Sequence, residues 1–261
     1  MIKYKKILLM LIDIHTHIQQ FEDKDLSNLI INSRNAKIEV IVAAGTTIED
    51  SKKCVNLSNE VKEVYAAVGI HPQNIKDDKT DGYLNVFKEL LKCKKTIMIS
   101  EIGLDIQDNC IPIKIQKKIF SDQINLAKEV NKPIAFHVRN AEKEIIDIIM
   151  SERLFELNSV AHYFNGTYNY AKKLLDNNIF ISVAKPILRD KNLEEVIKKI
   201  PLNKIVIETD SYPQYFKKNR NRWTEPKDLN LIIIKLSEIF KIDKDIIVEN
   251  IYNNSKKILK L

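Results

Sequence analysis

The 261-residue sequence holds little of what loosens or staples a chain: 5 glycines, 7 prolines and 3 cysteines. So few glycines and prolines exclude long flexible linkers and suit one large α/β barrel or two small domains. The cysteines (Cys54, Cys93 and Cys110) are odd in number and form no Cys-x-x-Cys pair. That excludes a disulfide framework and a zinc ribbon, and it fits a reducing cytoplasm. No apolar run is long enough to span a bilayer. The run 7–12, preceded by Lys3, Lys5 and Lys6, is too short for a secretory signal, is closed by Asp13 and lacks a small-residue cleavage site. Met10 directly precedes the first predicted strand and offers a second translation start, which would make residues 1–10 an N-terminal extension. No Gly-x-Gly-x-x-Gly follows any predicted strand, which argues against a dinucleotide-binding open sheet.

What is present is a soluble, globular composition, 44% hydrophobic and 30% charged. The net charge of +7 favours anionic partners such as nucleic acid, although lysines spread along the chain describe a solvated surface equally well. Apolar runs alternate with helical patterns throughout. Strands are predicted at 11–15, 38–44, 64–69, 96–100, 133–137, 159–162, 179–183 and 204–208. Helices are predicted at 21–36, 47–59, 82–92, 113–130, 141–150, 168–177, 193–200, 226–240 and 243–261, the last broken near Asn253-Asn254. The strands are near-continuous apolar runs, as buried parallel strands are. Eight strand–helix units over this length predict a (β/α)8 barrel, a single domain over residues 1–261.

The polar residues gather at one end of this pattern. All five histidines (His15, His17, His71, His137 and His162) lie at or just beyond the carboxyl end of a predicted strand. Glu101 follows the fourth strand, and Glu208 and Asp210 close the eighth. In a (β/α)8 barrel this end carries the active site. His15 and His17, two residues apart on a strand, share a face. Four imidazoles with two carboxylates exceed the needs of one four-coordinate zinc and suffice for two metals sharing a bridging carboxylate. Paired metals about 3.5–4 Å apart polarise a phosphoryl or carbonyl oxygen and lower the pKa of water to about 7. The chemistry expected is metal-assisted hydrolysis. Mixed nitrogen and oxygen donors leave zinc, manganese, cobalt and magnesium open.

Six short stretches, in order at the strand ends, resemble the TatD-type metal-dependent hydrolases of the amidohydrolase-like barrels. They are Asp13-Ile14-His15-Thr16-His17, Val68-Gly69-Ile70-His71-Pro72, Ser100-Glu101-Ile102-Gly103-Leu104-Asp105, residues 133–141 around His137, Ala161-His162-Tyr163-Phe164-Asn165-Gly166, and Ile207-Glu208-Thr209-Asp210. The resemblance implies that His15, His17 and Asp210 hold one metal, that His137 and His162 hold the other, and that Glu101 bridges them. It implies Asp210 as general base, Glu208 and Arg139 as supporting or phosphate-contacting groups, and His71 facing the substrate rather than a metal. Arg139 as a structural ion pair is the alternative. Departures from the family pattern fall on the rim: Gln73 after Pro72, Asn140 after Arg139, Ser211-Tyr212-Pro213 after the last strand, and Arg222-Trp223-Thr224-Glu225-Pro226.

The loop 212–223 carries Tyr212, Tyr215, Phe216, Lys217, Lys218, Arg220, Arg222 and Trp223. Its cations suit phosphates and its rings suit unpaired bases, or the rings simply pack on the barrel. The reading of the whole is a cytoplasmic, monomeric, two-metal deoxyribonuclease of the 3'-5' exonuclease type, acting on single-stranded or frayed DNA ends, with no membrane partner. The resemblance supplies the nuclease; the residues themselves supply only metal-assisted hydrolysis. A hydrolase of a small amide, lactone or phosphoester is the alternative on the same site. A non-catalytic nucleic-acid-binding barrel is the third reading.

Overall fold

The structure, a computed structural model, describes residues 10–75, 82–108, 110–215 and 223–261. The proposed extension before Met10, and the loop residues Phe216, Lys217, Lys218, Arg220 and Arg222, lie outside the described residues.

Eight parallel strands follow one another in chain order: β1 (Leu11–Thr16), β2 (Ile38–Ala44), β3 (Val64–Val68), β4 (Thr96–Asp105), β5 (Ile134–Arg139), β6 (Ser159–Ala161), β7 (Phe180–Val183) and β8 (Ile205–Ile207). The sheet closes on itself just past the strand ends, where Asp210 N donates to His15 O (3.1 Å) and His17 N to Ser211 O (2.7 Å). Nine helices lie among the described residues: α1 (Asp23–Asn35), α2 (Ile48–Glu60), α3 (Tyr83–Leu90), α4 (Ile113–Val130), α5 (Glu142–Ser151), α6 (Tyr168–Asp176), α7 (Lys191–Ile197), α8 (Leu229–Phe240) and α9 (Lys244–Leu259). This is the (β/α)8 barrel that the alternating pattern predicts. Among the described residues no helix is long and apolar enough to cross a membrane.

The strands are apolar on both faces because both faces are covered. One set of side chains packs under the helices, against Phe87, Phe120 and Ile124 among others. The other set draws from all eight strands, Ile12, Val42, Ala67, Ala135 and Val206 among them, and fills the barrel interior. Ile258 and Leu259, in the last turn of α9, join that interior cluster. Asn158, just before β6, donates to the carbonyls of Lys257 and Ile258, which fixes the end of α9 beneath the strand starts. The amino end of the barrel is thus stoppered, and access is left at the carboxyl end.

Two sequence expectations are corrected. The final helix is unbroken through Asn253-Asn254. Asn254 is buried, and its Nδ2 donates to Leu202 O (2.9 Å) and Ile205 O (2.7 Å), so a residue read as a helix breaker instead ties α9 to the start of β8. The fourth strand runs on to Asp105 and is buried along its whole length, so Glu101 sits within the strand rather than after it. Two glutamines of α4, seven residues apart and hence on one helix face, hold the neighbouring chain ends. Gln116 accepts from Asp105 N (2.9 Å) and donates to Asp105 O (2.9 Å). Gln123 accepts from Ile70 N (2.8 Å).

β4 lies so close to β5 that Gly103 has no room for a side chain. Its φ is 139°, and a Cβ there would stand 2.1 Å from His137 O. Gly103→Ala is therefore expected to cost about 2 kcal/mol or more of folding stability, read as a lower urea midpoint. A midpoint equal to wild type would show that the two strands can part locally without loss.

Candidate metal centre

Glu101 is the hub. It is 5% exposed, and five imidazoles converge on its two oxygens. His17 Nε2 lies 3.2 Å and His15 Nε2 3.6 Å from Oε2. His71 Nε2, His137 Nδ1 and His162 Nε2 each lie 3.3 Å from Oε1. Asp210 completes the ring, its Oδ1 3.4 Å from His17 Nε2. Every histidine predicted from the sequence is brought to this one point, together with both predicted carboxylate ligands.

The far nitrogen of each ring shows what the near one can do. His17 Nδ1 is 2.9 Å from Ala44 O, which can only accept, so Nδ1 carries the proton and Nε2 keeps its lone pair. His137 Nε2 is 2.9 Å from Asp105 Oδ2, which leaves the lone pair on Nδ1 toward Glu101. His162 Nδ1 is 2.7 Å from Glu208 Oε1, with Nε2 toward Glu101. His15 Nδ1 meets Ser100 Oγ at 3.2 Å, and its Nε2 is buried with no hydrogen-bond partner. His17 and His137 have their outer nitrogens held by hydrogen bonds, the arrangement that orients a histidine toward a cation. His71 is the opposite case. Its Nδ1 accepts from Gln73 N (3.2 Å), so in the neutral ring Nε2 bears the proton and faces Glu101 as a donor. His71 also lines the cavity, and with Asp105 and His137 it forms a further triad of candidate ligand atoms.

The residues fit a pair of divalent cations. Triads of candidate ligand atoms lying within 4.8 Å of one another include His15, His17 and Glu101; His15, His162 and Asp210; and Glu101, His137 and His162. The lone pair of His15 Nε2 is buried without a partner, which costs stability unless something binds it.

Electrostatics point the same way. Burial alone would raise the Glu101 pKa, but the charges of His71 and His162 and the contacts of His137 and His15 outweigh it and hold the carboxyl well below its usual range. Burial opposes charge on His17 too, yet its pairing with Asp210 and Glu101 pushes its pKa up to about 10. His162 and His137 are likewise raised against burial, the first by Glu208 and Glu101, the second by Asp105 and Glu101. His15 alone is lowered, by burial and by the charge of His162, whose ring stacks on it at 3.8 Å. Without a cation, protons hold the place of positive charge around Glu101.

The two residues expected as supporting or phosphate-contacting groups stand at different levels. Glu208 is fully buried behind His162 and does not line the cavity. It accepts from Ser182 Oγ (2.5 Å) and Tyr163 N (2.9 Å), so its position orients His162 instead of reaching a substrate. Arg139 lines the cavity and is half exposed, with Nη1 3.6 Å from Asp105 Oδ2; both of its proposed roles are compatible with that place. Sequence reasoning gave no role to Asp105, although it stands four residues after Glu101 in a quoted stretch; nor to Asp13, which accepts from Thr209 N (2.9 Å) and Thr209 Oγ1 (2.5 Å) and so locks β1 to the turn bearing Asp210. A carboxylate inside an apolar strand, as Asp13 is, was the available signal. Of the aromatic loop, Tyr215 and Trp223 pack on each other (4.9 Å), and Trp223 packs on Phe21 (5.8 Å), as the packing alternative has it.

Above the hub opens a cavity of about 610 Å³ walled by the loops after β1, β2, β3, β5, β6 and β8. An eight-stranded barrel with imidazoles and carboxylates gathered below such a cavity defines a metal-dependent hydrolase. The chain belongs to the TatD related DNase family, which matches it over residues 12–260. It is 31% identical over 258 residues to an uncharacterized metal-dependent hydrolase of Bacillus subtilis, YabD, covering 97% of this chain and 100% of that one. It is 28% identical over 200 residues to the deoxyribonuclease Tat-D of Schizosaccharomyces pombe, covering 72% of this chain and 64% of that one. Among solved structures, the TatD homolog YjjV of Escherichia coli superposes with a TM-score of 0.85 at 23% identity, over 96% and 98% of the two chains, a likeness of fold.

Two outcomes are expected. Asp105→Asn removes the charge that anchors His137, and should weaken binding of manganese or zinc about 10- to 100-fold in a chelator competition assay; affinity within twofold of wild type would show that His137 is held by other means. Because the His17 pKa lies above its ordinary value, at about 10, the ring is protonated below that pH and must shed its proton to bind a cation. Metal added to chelator-stripped protein at pH 8 should therefore release protons, seen as a calorimetric heat that changes with the ionisation enthalpy of the buffer. The release should vanish as pH rises past about 10. A buffer-independent heat at pH 8 would contradict it.

Proposed function

We propose that the protein is a deoxyribonuclease that removes nucleotides from single-stranded or frayed DNA ends. The observation that carries the hydrolytic part of this reading is the convergence of His15, His17, His137 and His162 on one buried carboxylate, Glu101, with Asp210 beside His17. Membership of the TatD related DNase family and the likeness to the Schizosaccharomyces pombe deoxyribonuclease support phosphodiesters as the substrate class.

In this reading His15, His17 and Asp210 would hold one divalent cation and His137 and His162 a second, with Glu101 shared between them. When bound, such cations offset charge developing on the phosphoryl oxygens and lower the pKa of water. The chain's own groups do the rest. Asp210 lines the cavity, and its carboxyl stays ionised because His17 and then His162 outweigh its burial. It is placed to take the proton of the water that attacks phosphorus as the P–O bond to the leaving strand breaks. His71 lines the cavity beside Glu101 and faces the substrate there. Arg139 offers a two-directional fork to the neighbouring phosphate from its place on the wall. Glu208 and Asp105 keep His162 and His137 oriented.

Glu101, His17, His71 and His162 are 5–8% exposed at the cavity floor, His15 is fully buried, and His137 and Asp210 are partly exposed beside them. A phosphate within an intact duplex would have to leave its helix to reach them, whereas an unpaired end can enter directly.

Chelator-stripped protein given magnesium, manganese, zinc or cobalt singly should release mononucleotides from end-labelled single-stranded DNA. Glu101→Gln should reduce the rate by a hundredfold or more, on the order of a lost charge-stabilising group, because a neutral amide bridges cations poorly. Asp210→Asn should do likewise. Release by Glu101→Gln within a few-fold of wild type would sink the shared-carboxylate assignment. No release by wild type with any metal, with turnover of a small amide, lactone or phosphoester instead, would move the assignment to a small-molecule hydrolase.

A further inference from the structure

Two tyrosines on the cavity wall are left unused by the metal centre. Tyr163 follows His162, and Tyr212 lies two residues beyond Asp210; both line the cavity. Neither hydroxyl has a hydrogen-bond partner among the described residues, and Tyr212 has no ring partner there. Tyr163 touches only the edge of the site, its ring centroid 5.9 Å from that of His162 and tilted by 50°. The other aromatic side chains nearby are engaged: Tyr170 stacks on Phe164 at 5.9 Å, and Tyr215 meets Trp223.

The backbone at Tyr163 shows why a ring there is informative. Its φ is +45°, in the left-handed region that bulky L-residues avoid. That turn lets Tyr163 N donate to Glu208 Oε1. A glycine would make the same hydrogen bond with no strain, and asparagine with little. The hydrogen bond therefore accounts for the turn and leaves the tyrosine unaccounted for. What remains is a flat, uncharged, half-buried face beside Asp210. Such faces bind the π-face of an unpaired base without regard to sequence.

We propose that Tyr163 and Tyr212 form a base-stacking platform, holding the unpaired nucleobase of the nucleotide whose phosphodiester faces Glu101 and Asp210. The inference rests on the nuclease reading above and names the part of the substrate that the wall receives: a base rather than a second phosphate. It also accounts for end selectivity in a new way, since a paired base has no free face to offer.

The test uses metal-reconstituted protein and two single-stranded oligonucleotides, one ordinary and one carrying tetrahydrofuran abasic residues at its last two 3' positions. For wild type, KM should be about fivefold or more lower on the ordinary strand, the low end of what one stacked base contributes. Tyr163→Ala should bring the two KM values together by raising the ordinary one, with the effect falling mainly on KM and little on kcat. Tyr163→Phe should keep the wild-type difference, because the ring and not the hydroxyl stacks. Tyr212→Ala should narrow the difference too, and serves as the independent variant should Tyr163→Ala unfold, which its thermal midpoint reports. Equal KM values for wild type on the two strands, or a difference that survives both alanine variants, would overturn the platform and leave the nuclease standing. Loss of the difference in Tyr163→Phe would overturn stacking in favour of a hydroxyl contact. Failure of wild type to cut either strand would remove the nuclease reading and this inference together.

Discussion

A buried carboxylate is expensive unless positive charge surrounds it, with a penalty of about several kcal/mol per ion, and Glu101 is the carboxylate this barrel is arranged around. It lies inside β4, within a strand buried from end to end, where little water reaches it. Five imidazoles from four different strand ends supply the compensation. The same constraint explains the outer layer. Imidazoles that must point inward have to be turned the right way, and so Asp105, Glu208, Ala44 O and Ser100 stand behind them. Remove the central charge and the cluster becomes a set of mutually repelling or unpartnered rings. Remove the rings and the strand carries an unpaired ion in its core.

Much of this was legible in the chain because it depends on strand ends. Apolar runs such as 38–44 have one physical reading when both faces are buried, and the histidines at 15, 17, 71, 137 and 162 mark the ends of those runs. The eight-strand barrel and the gathering of histidines and carboxylates at one end follow from position alone, whereas the roles of those carboxylates come only with the resemblance. What could not be read is what depends on distant partners. Gln116 and Gln123 look like polar residues on an ordinary helix; only the tertiary structure reveals that they cap backbone groups of β4 and of the turn after β3. Asn254 looks like a helix breaker and is a buried clamp. Glu208 looks like a second active-site acid, because the alternation of a strand does not say whether its carboxylate looks into the cavity or behind a neighbouring histidine. The structure puts it behind.

Backbone strain reaches the site as well as the scaffold, where Lys37, Asn131, Arg153, Asn178, Lys241 and Lys260 hold positive φ. Asn140, Tyr163 and Asp210, just past β5, β6 and β8, all hold left-handed backbone, with φ of 55°, 45° and 48°. Each such residue costs on the order of 1 kcal/mol. Asparagine and aspartate tolerate the conformation through their short polar side chains, whereas tyrosine has no such excuse. The barrel can absorb these local costs because the strands beneath are fully buried and the amino end is closed by α9, so the carboxyl-end loops are held from below.

The same division shows where specificity resides. The ligand histidines belong to, or directly follow, strands locked by the sheet, and their orientation is fixed by groups that no substrate touches. Three of the positions at which this chain departs from the family pattern, Gln73, Asn140 and Tyr212, line the cavity wall above, and none of the three forms an ion pair with Glu101. A change on that wall alters what fits without disturbing the charge balance of the hub. A change at the hub unbalances a buried ion. Chemistry and selectivity are thereby uncoupled: the floor is constrained by electrostatics to one arrangement, and the rim is constrained only by the shape of what it admits.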